Sequence, residues 1–563
     1  MNSKPLPARP SLEQYKKQAK EMVKAFRAWQ AQVRASGKPP DAGVLEHLRQ
    51  RHPRFAKLSA EEVAGTRFVL ADAQFVIALE HGFESWPKFA KHIEALAHAE
   101  AAAAVSDPVA AFIVAACTPR DAWHASGTLE RAEAILAAHP EVAGDNIYTA
   151  AVLGDREAVR SFLTGGRNLA IAKGGPYGWD ALTHLCFSRY LQRDRARSEG
   201  FLRAARALLD AGANPNTGWM ESNHQPNPEW ESVIYGAAGI AHHAELTRLL
   251  LERGADPNDG ETPYHVPESY DNDAMKVLVE SGKLNKDSLT TMLLRKTDWH
   301  DFEGLKWLLE HGVDPNYGTH WGKSAFHNAV LSDNSMEIFE VLLKHGADPA
   351  IVSERPNRGQ QTPSSGKSAI SIAARRGRGD VLALIEKRGI AIEWQGVERL
   401  IAACARNDAA GASAIAEQEP QLVRELVAEG GTLLAEFAGV GNSEGVRMLL
   451  DLGVEASALY TAGDGYFDIA TYSTALHVAA WRGRPATVKL LIERGAPVNA
   501  VDGKQRTALM LAVKACVDSY WKDRRTPESV ETLLNAGASV EGVEYPCGYV
   551  EVDELLRTRG AQD

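Results

Sequence analysis

The 563-residue chain is poor in cysteine, has no long apolar run and carries no surplus of positive charge. Each lack excludes something. The five cysteines, Cys117, Cys186, Cys404, Cys516 and Cys547, lie 69, 218, 112 and 31 residues apart, which provides neither a CxxC pair nor a dense disulfide framework. Buried packing in a reducing compartment is their expected role. The longest apolar stretch, Val109–Cys117, is about half of what spans a bilayer, and MNSKPLPARPSLEQYKKQAK at the N-terminus lacks the apolar segment of a signal peptide. A cytoplasmic protein with no membrane partner is expected. The net charge of −11 argues against non-specific binding of nucleic acid or anionic lipid by the whole surface.

Catalytic and metal signatures are missing as well. Neither HExxH nor GxSxG occurs. Two GKS triplets, Gly322–Ser324 and Gly366–Ser368, lack the glycine that a phosphate loop needs five residues earlier, where Tyr317 and Gln361 stand. His242-His243 and His320 with His327 are the nearest approach to a metal cluster, and Asp464–Asp468 (DGYFD) lacks the glycine and glutamate of a calcium loop. No enzyme, cofactor or metal is expected.

What the chain does have is an ordinary globular balance, 45% hydrophobic and 24% charged, and an internal repeat. Length alone would suggest three or four domains, a count that a repeat overturns. The clearest copy is STALHVAAWRGRPATVKLLIERGAPVNA, Ser473–Ala500. Thr474 suits a helix N-cap, Ala479 and Ala480 allow close helix approach, and Gly483 ends the first helix. Val488, Leu490, Leu491 and Ile492 form the apolar face of a second helix, and Gly495 supplies the left-handed stop. The second half recurs as LLDAGANPN, LLERGADPN, LLEHGVDPN, LLKHGADP, LLDLGV and LLNAGA. Its closing glycines are Gly212, Gly254, Gly282, Gly312, Gly346, Gly389, Gly453, Gly495, Gly537 and Gly560, spaced 42, 28, 30, 34, 43, 64, 42, 42 and 23 residues apart. The 64-residue gap fits two copies, one of them hidden in Val397–Val423 without its glycine.

This pattern resembles the ankyrin repeat, whose signature runs G-x-T-P-L-H-x-A, then L-L before G-A-D-x-N, with a period of about 33 residues. The resemblance implies an all-α solenoid of about twelve helix-turn-helix units with short hairpins, and in it His327 takes the place of a histidine that links adjacent turns. It also implies a non-enzymatic protein-binding scaffold or adaptor whose partner is another protein. Degenerate copies extend upstream through PVAAFIVAACT with LERAEAILAAH and through Asp145–Leu163, so the repeat region is expected over 106–563.

Four segments exceed the repeat and are expected as inserted loops: Thr217–Trp230, Ala350–Lys367, Leu459–Ser473 and Val517–Glu528. Three are rich in aromatics, which makes Trp219, Trp230, Tyr460, Tyr466, Phe467, Tyr520 and Trp521 the candidate partner-binding residues, with capping of their own repeats as the competing role. Loops of neighbouring repeats emerge side by side, so Tyr466, Phe467, Tyr520 and Trp521 are expected to form one patch rimmed by Asp464, Asp468, Lys522, Arg524 and Arg525.

Residues 1–105 lack the repeat. Leu12, Tyr15, Ala19, Met22, Val23, Phe26, Trp29 and Val33 form one face of a helix that Ser11 can cap, and two more helices meet at His81-Gly82, giving a module of three or four. With LADAQFVIALEHGFESWPKF as its core, the module looks like the helical segment preceding ankyrin repeats in many bacterial proteins, which implies a bacterial source. Residues 1–57 hold 13 Lys/Arg against 4 Asp/Glu, a local charge of +9 in a chain that is otherwise about −20. A solvated face or docking on acidic repeats is the expected reading of that charge; nucleic-acid regulation, or an enzyme site built from the inserted loops, are the alternatives.

Overall fold

The computed structural model describes residues 4–7, 10–36, 42–120, 124, 126–224, 226–319, 321–353 and 365–561. His320 and most of the insertion Ala350–Lys367 lie outside them. The chain divides into two compact units: a first of residues 1–262 and 273–283, and a second of 263–272 and 284–563.

The first unit opens with the helical module. Tyr15, Ala19, Val23, Phe26, Trp29 and Val33 of helix Leu12–Ser36 are buried together with Phe55, Phe68, Val76, Ile77, Phe89 and Ile93, a core of the module's own. Ser11 accepts the Gln14 amide at 3.4 Å, and Gly82 (φ +86°) follows helix Leu70–Glu80 before Ser85 caps Trp86–Ala103. Five α-helices build the module among the described residues; the short ones, Ala42–Arg51 and Ala60–Gly65, are too brief to show a period in the sequence. Lys16, Lys17, Lys20 and Lys24 face solvent, whereas Arg34 and Arg49 donate to the Ala64 and Leu58 carbonyls and Arg54 pairs with Asp72 at 3.3 Å, so part of the basic charge serves the module's own fold.

Helix pairs follow: Pro108–Ala116 with Glu130–Ala138, Ile147–Leu153 with Arg156–Gly165, Ala181–Cys186 with Ser198–Asp210, and the turn Val233–Ile240 with Ala244–Glu252, on which Asp273–Glu280 stacks. The second unit holds seven pairs, from Lys286–Asp298 with Phe302–Glu310 to Ala508–Asp518 with Glu528–Asn535, and ends on helix Val550–Thr558. First helices stack on first helices and second on second, giving the all-α repeat array. With Glu261–His265 counted beside Asp273–Glu280, the described residues hold twelve pairs. The hidden copy is helices Val397–Ala405 and Ala409–Gln418, followed by an additional helix, Pro420–Ala428, that the repeat pattern does not contain.

The repeat residues do what their chemistry allows. All ten closing glycines have φ between +67° and +108°, the left-handed region that a side chain strains. Asn216, Asn316 and Asn499, last in their G-A-D-x-N-type segments, stitch neighbouring hairpins: Asn316 donates to the Gly346 carbonyl at 2.8 Å and accepts the Asp348 amide at 2.7 Å. His477 Nδ1 accepts from the Thr474 amide and hydroxyl at 3.1 and 2.8 Å, and its Nε2–H donates to the Ala500 and Arg506 carbonyls. His327 repeats this with Ser324 and the Lys367 carbonyl. Ser324 and Ser368 of the two GKS triplets are helix N-caps. His243 caps Ala244–Glu252 by accepting the Leu246 amide. Cys117, Cys186, Cys404 and Cys516 are buried and Cys547 is half-buried; burial pushes the Cys117 and Cys404 thiols up to about 12. Among the described residues no helix is long and apolar enough to cross a membrane, and no group of three His, Cys, Asp or Glu could hold a metal ion.

Candidate partner-binding site

All seven aromatic candidates have their surroundings set by two insertions of the second unit and one of the first. In the first unit, Gly218–Met220 pairs antiparallel with Trp230–Ser232 to form a ribbon. Trp219 is buried in it and stacks on Trp179 at 5.2 Å, while Trp230 is partly exposed. In the second unit, Leu459–Tyr460 pairs with Ser473–Thr474, and between them Asp464 and Ile469 exchange two backbone hydrogen bonds of 2.9 Å around a tight turn. Gly463 (φ +66°) lets this turn close, because a Cβ there would lie 2.6 Å from the Ile469 carbonyl oxygen.

Phe467 and Trp521 do come together, ring centroids 5.7 Å apart, as neighbouring insertions should. Their exposure differs from expectation. Phe467 is 5% and Trp521 9% exposed, and Tyr460 is buried too, its hydroxyl donating to Glu436 at 2.9 Å. The arginine side chain of Arg482 explains the burial of the two rings: its guanidinium lies 3.8 Å from the Phe467 ring centre and 4.4 Å from that of Trp521. Cation–π contact with a desolvated guanidinium favours burial of both partners. Of the seven candidates, Trp219, Tyr460, Phe467 and Trp521 are internal, as the competing capping role requires, and Trp230, Tyr466 and Tyr520 are accessible.

Beneath these rings sits a carboxylate that the repeat pattern would not place there. A left-handed residue closes most of the first helices, and glycine holds it at Gly154, Gly377, Gly441 and Gly483, histidine or asparagine at His242, His300 and Asn407. Asp333 occupies the corresponding place with φ +54°. It accepts from Arg378 at 2.9 Å, Arg482 at 2.5 Å and Arg484 at 3.4 Å, with Arg524 at 4.0 Å. Burial alone would raise its pKa; Arg482, Arg378 and Arg484 together hold it below the usual carboxylate value. Burial pushes Arg482 down to about 9, so it is still charged at neutral pH. One carboxylate thus joins the second-last repeat, through Arg482 and Arg484, to a repeat about 150 residues earlier in the chain.

The tyrosines use the same fold-back. Tyr466 donates its hydroxyl to the Asp298 carbonyl at 2.9 Å, Tyr520 to that of Trp299 at 3.1 Å, and Tyr270 to the same Trp299 carbonyl at 2.9 Å. Tyr270, which no sequence feature singled out, is 61% exposed, Tyr466 50% and Tyr520 54%. Three half-exposed rings are thus fixed by their hydroxyls to two consecutive carbonyls. Beside them opens a cavity of about 490 Å³, walled by Tyr264, Trp321, Tyr466, Arg295, Lys323 and Arg376. Arg295 is engaged by Glu268 and by Asp298 at 2.6 Å, and Arg376 by Glu436 at 3.0 Å, whereas Lys323 donates to the Asn328 amide oxygen at 3.0 Å. Of the expected rim, Asp468 is held by Lys504 at 2.6 Å, Arg506 at 3.1 Å and Lys514 at 3.4 Å, and Arg525 donates to the Ser519 carbonyl.

Comparison with known proteins bears on the repeats. The family model described as ankyrin repeats (3 copies) matches residues 291–396 and 393–542. The human transient receptor potential cation channel subfamily A member 1 is 30% identical over 132 residues, and the match spans 21% of this chain and 12% of that protein. The ankyrin repeat domain of human ASB11 aligns with 40% of this chain and 89% of its own length at 22% identity and a TM-score of 0.29. Residues 291–542 are ankyrin repeats.

Proposed function

We propose that this ankyrin-repeat protein is a non-catalytic scaffold that binds another protein through the tyrosine patch of its second unit. Ankyrin repeats support a protein-interaction role in general; the patch of Tyr270, Tyr466 and Tyr520 gives that role a place. The observation that carries it is the anchoring of three half-exposed rings by hydrogen bonds to the Asp298 and Trp299 carbonyls. A fixed ring offers contact area with little entropy left to lose on binding, which is why tyrosine is frequent at binding hot spots. Phe467 and Trp521 serve the patch from within, since their stacking on Arg482 holds both loops in place. A cytoplasmic setting and a bacterial source fit the composition and the N-terminal module.

The test is site-specific photocrosslinking from positions 270, 466 and 520, with the exposed position 137 in the first unit as control, followed by affinity measurement on whatever partner is recovered. Tyr520→Ala is expected to weaken that partner by about thirtyfold, equivalent to about 2 kcal/mol. Crosslinks confined to the control position, or full affinity in the alanine variant, would remove the patch from the interface.

A further inference from the structure

A second surface carries a different chemistry. In the first unit, the second helices of two stacked repeats, Arg156–Gly165 and Ser198–Asp210, bury Val159 and Leu163 on one side and Phe201, Ala204, Ala205 and Leu208 on the other. Their remaining faces present Arg156 and Arg160, one turn apart, and Arg203 and Arg206, three residues apart. With Arg167 these five guanidinium groups line a groove of about 520 Å³. Asp210 is the only carboxylate in the lining, and Arg253 already pairs with it at 2.7 Å. Arg156 has Glu157 at 3.3 Å, Arg203 has Glu199, and Arg167 donates to the Asp210 backbone carbonyl at 2.7 Å. The guanidinium groups of Arg160 and Arg206 have no hydrogen-bond or ion-pair partner among the described residues. In a chain of net charge −11, this is a concentrated positive field.

We infer that this groove binds a phosphorylated segment of a partner protein, the phosphate seated between Arg160 and Arg206. Guanidinium groups are planar forks that match the oxygens of a phosphate, and a phosphoserine or phosphothreonine brings nearly two negative charges and three strong acceptors to one point. Two unpaired arginines on neighbouring helices suit a dianion better than a lone carboxylate. Leu163, Ala207 and Ala211 supply an apolar floor for an adjoining side chain. Nucleic acid fits less well, because the lining contains no aromatic ring on which a base could stack. The inference is independent of the tyrosine patch, which lies in the other unit.

The experiment uses the full chain and three fluorescent probes: a degenerate phosphoserine peptide library, its unphosphorylated twin and a single-stranded oligonucleotide. Fluorescence polarisation should show the phosphorylated library bound at least tenfold more tightly than its twin, with affinity falling steeply as salt rises. Arg160→Glu with Arg206→Glu should abolish that preference. Both side chains are on the surface, so thermal unfolding of the double variant should match the parent; should it not, Arg160→Gln with Arg206→Gln gives the same test without charge reversal. Equal binding of the two libraries, binding by the oligonucleotide alone, or a phosphate preference that survives in a normally folded variant would each overturn the proposal.

Discussion

The inserted loops of the two units solve one problem in opposite ways. In the first unit the insertion closes on its own neighbourhood: the ribbon Gly218–Met220/Trp230–Ser232 turns Trp219 inward onto Trp179, and the buried Glu221 carboxylate accepts the amides of His224 at 3.2 Å and Glu229 at 2.9 Å, with that of Asn223 beside them. In the second unit the insertions reach out. Tyr466 and Tyr520 bond to carbonyls 168 and 221 residues earlier, and Arg482 meets Asp333 149 residues away. A self-capping loop stabilises its repeat, whereas a bridging loop makes distant repeats one surface, and only the second arrangement leaves aromatic rings both fixed and exposed.

The comparison can be broken at either end. Asp333→Ala leaves Arg378, Arg482 and Arg484 without their shared carboxylate and is expected to cost about 3–5 kcal/mol. Amide exchange should rise in 459–473 and 517–528 and not around Trp219. Trp219→Ala should cost a similar ~3–5 kcal/mol with the reverse pattern of exchange. Asp333 also sets a pH dependence. Its folded pKa is depressed, so its contribution is complete above the unfolded value of about 3.9 and is lost as pH falls from there through the folded value; Asp333→Asn should flatten that acid limb of the unfolding curve. Asp333→Gly should be milder than Asp333→Ala by about 1 kcal/mol, because glycine relieves the left-handed backbone. Gly495→Val, at φ +82° with open space around it, should cost about 1–2 kcal/mol through backbone strain alone. Tyr466→Phe removes one hydrogen bond at a half-exposed site and should cost about 1 kcal/mol or less, read from the chemical-denaturation midpoint.

These differences follow what a sequence can and cannot state. Gly495, Thr474 and His477 act within one repeat or on the next, so their residue types and spacing disclose their roles, and even the glycine-free copy at Val397–Val423 was legible from its two apolar stripes. Side-by-side emergence of the Phe467 and Trp521 loops was legible too, because stacking carries one repeat's register to the next. Burial of those rings was not. It depends on Arg482 and Asp333, which meet only after several repeats have stacked, and no local period records that separation. A signal did exist: Asp333 stands where Gly483 and several equivalents hold glycine and others hold His242, His300 and Asn407, and a carboxylate accepting a left-handed backbone is a reason to ask what grips it. Tyr270 carried no comparable mark. The arginines of the first unit did, since Arg156 with Arg160 and Arg203 with Arg206 are on the solvent stripes of consecutive second helices.

The central claim is that the C-terminal insertions are fastened to an early repeat of the second unit through Asp333. A double-mutant cycle on Asp333→Ala and Arg482→Met, measured by equilibrium denaturation, tests it most directly. The bridging arrangement predicts a coupling energy of at least about 1.5 kcal/mol between two residues 149 positions apart, as found for close buried charge pairs. Strict additivity of the two substitutions would contradict it.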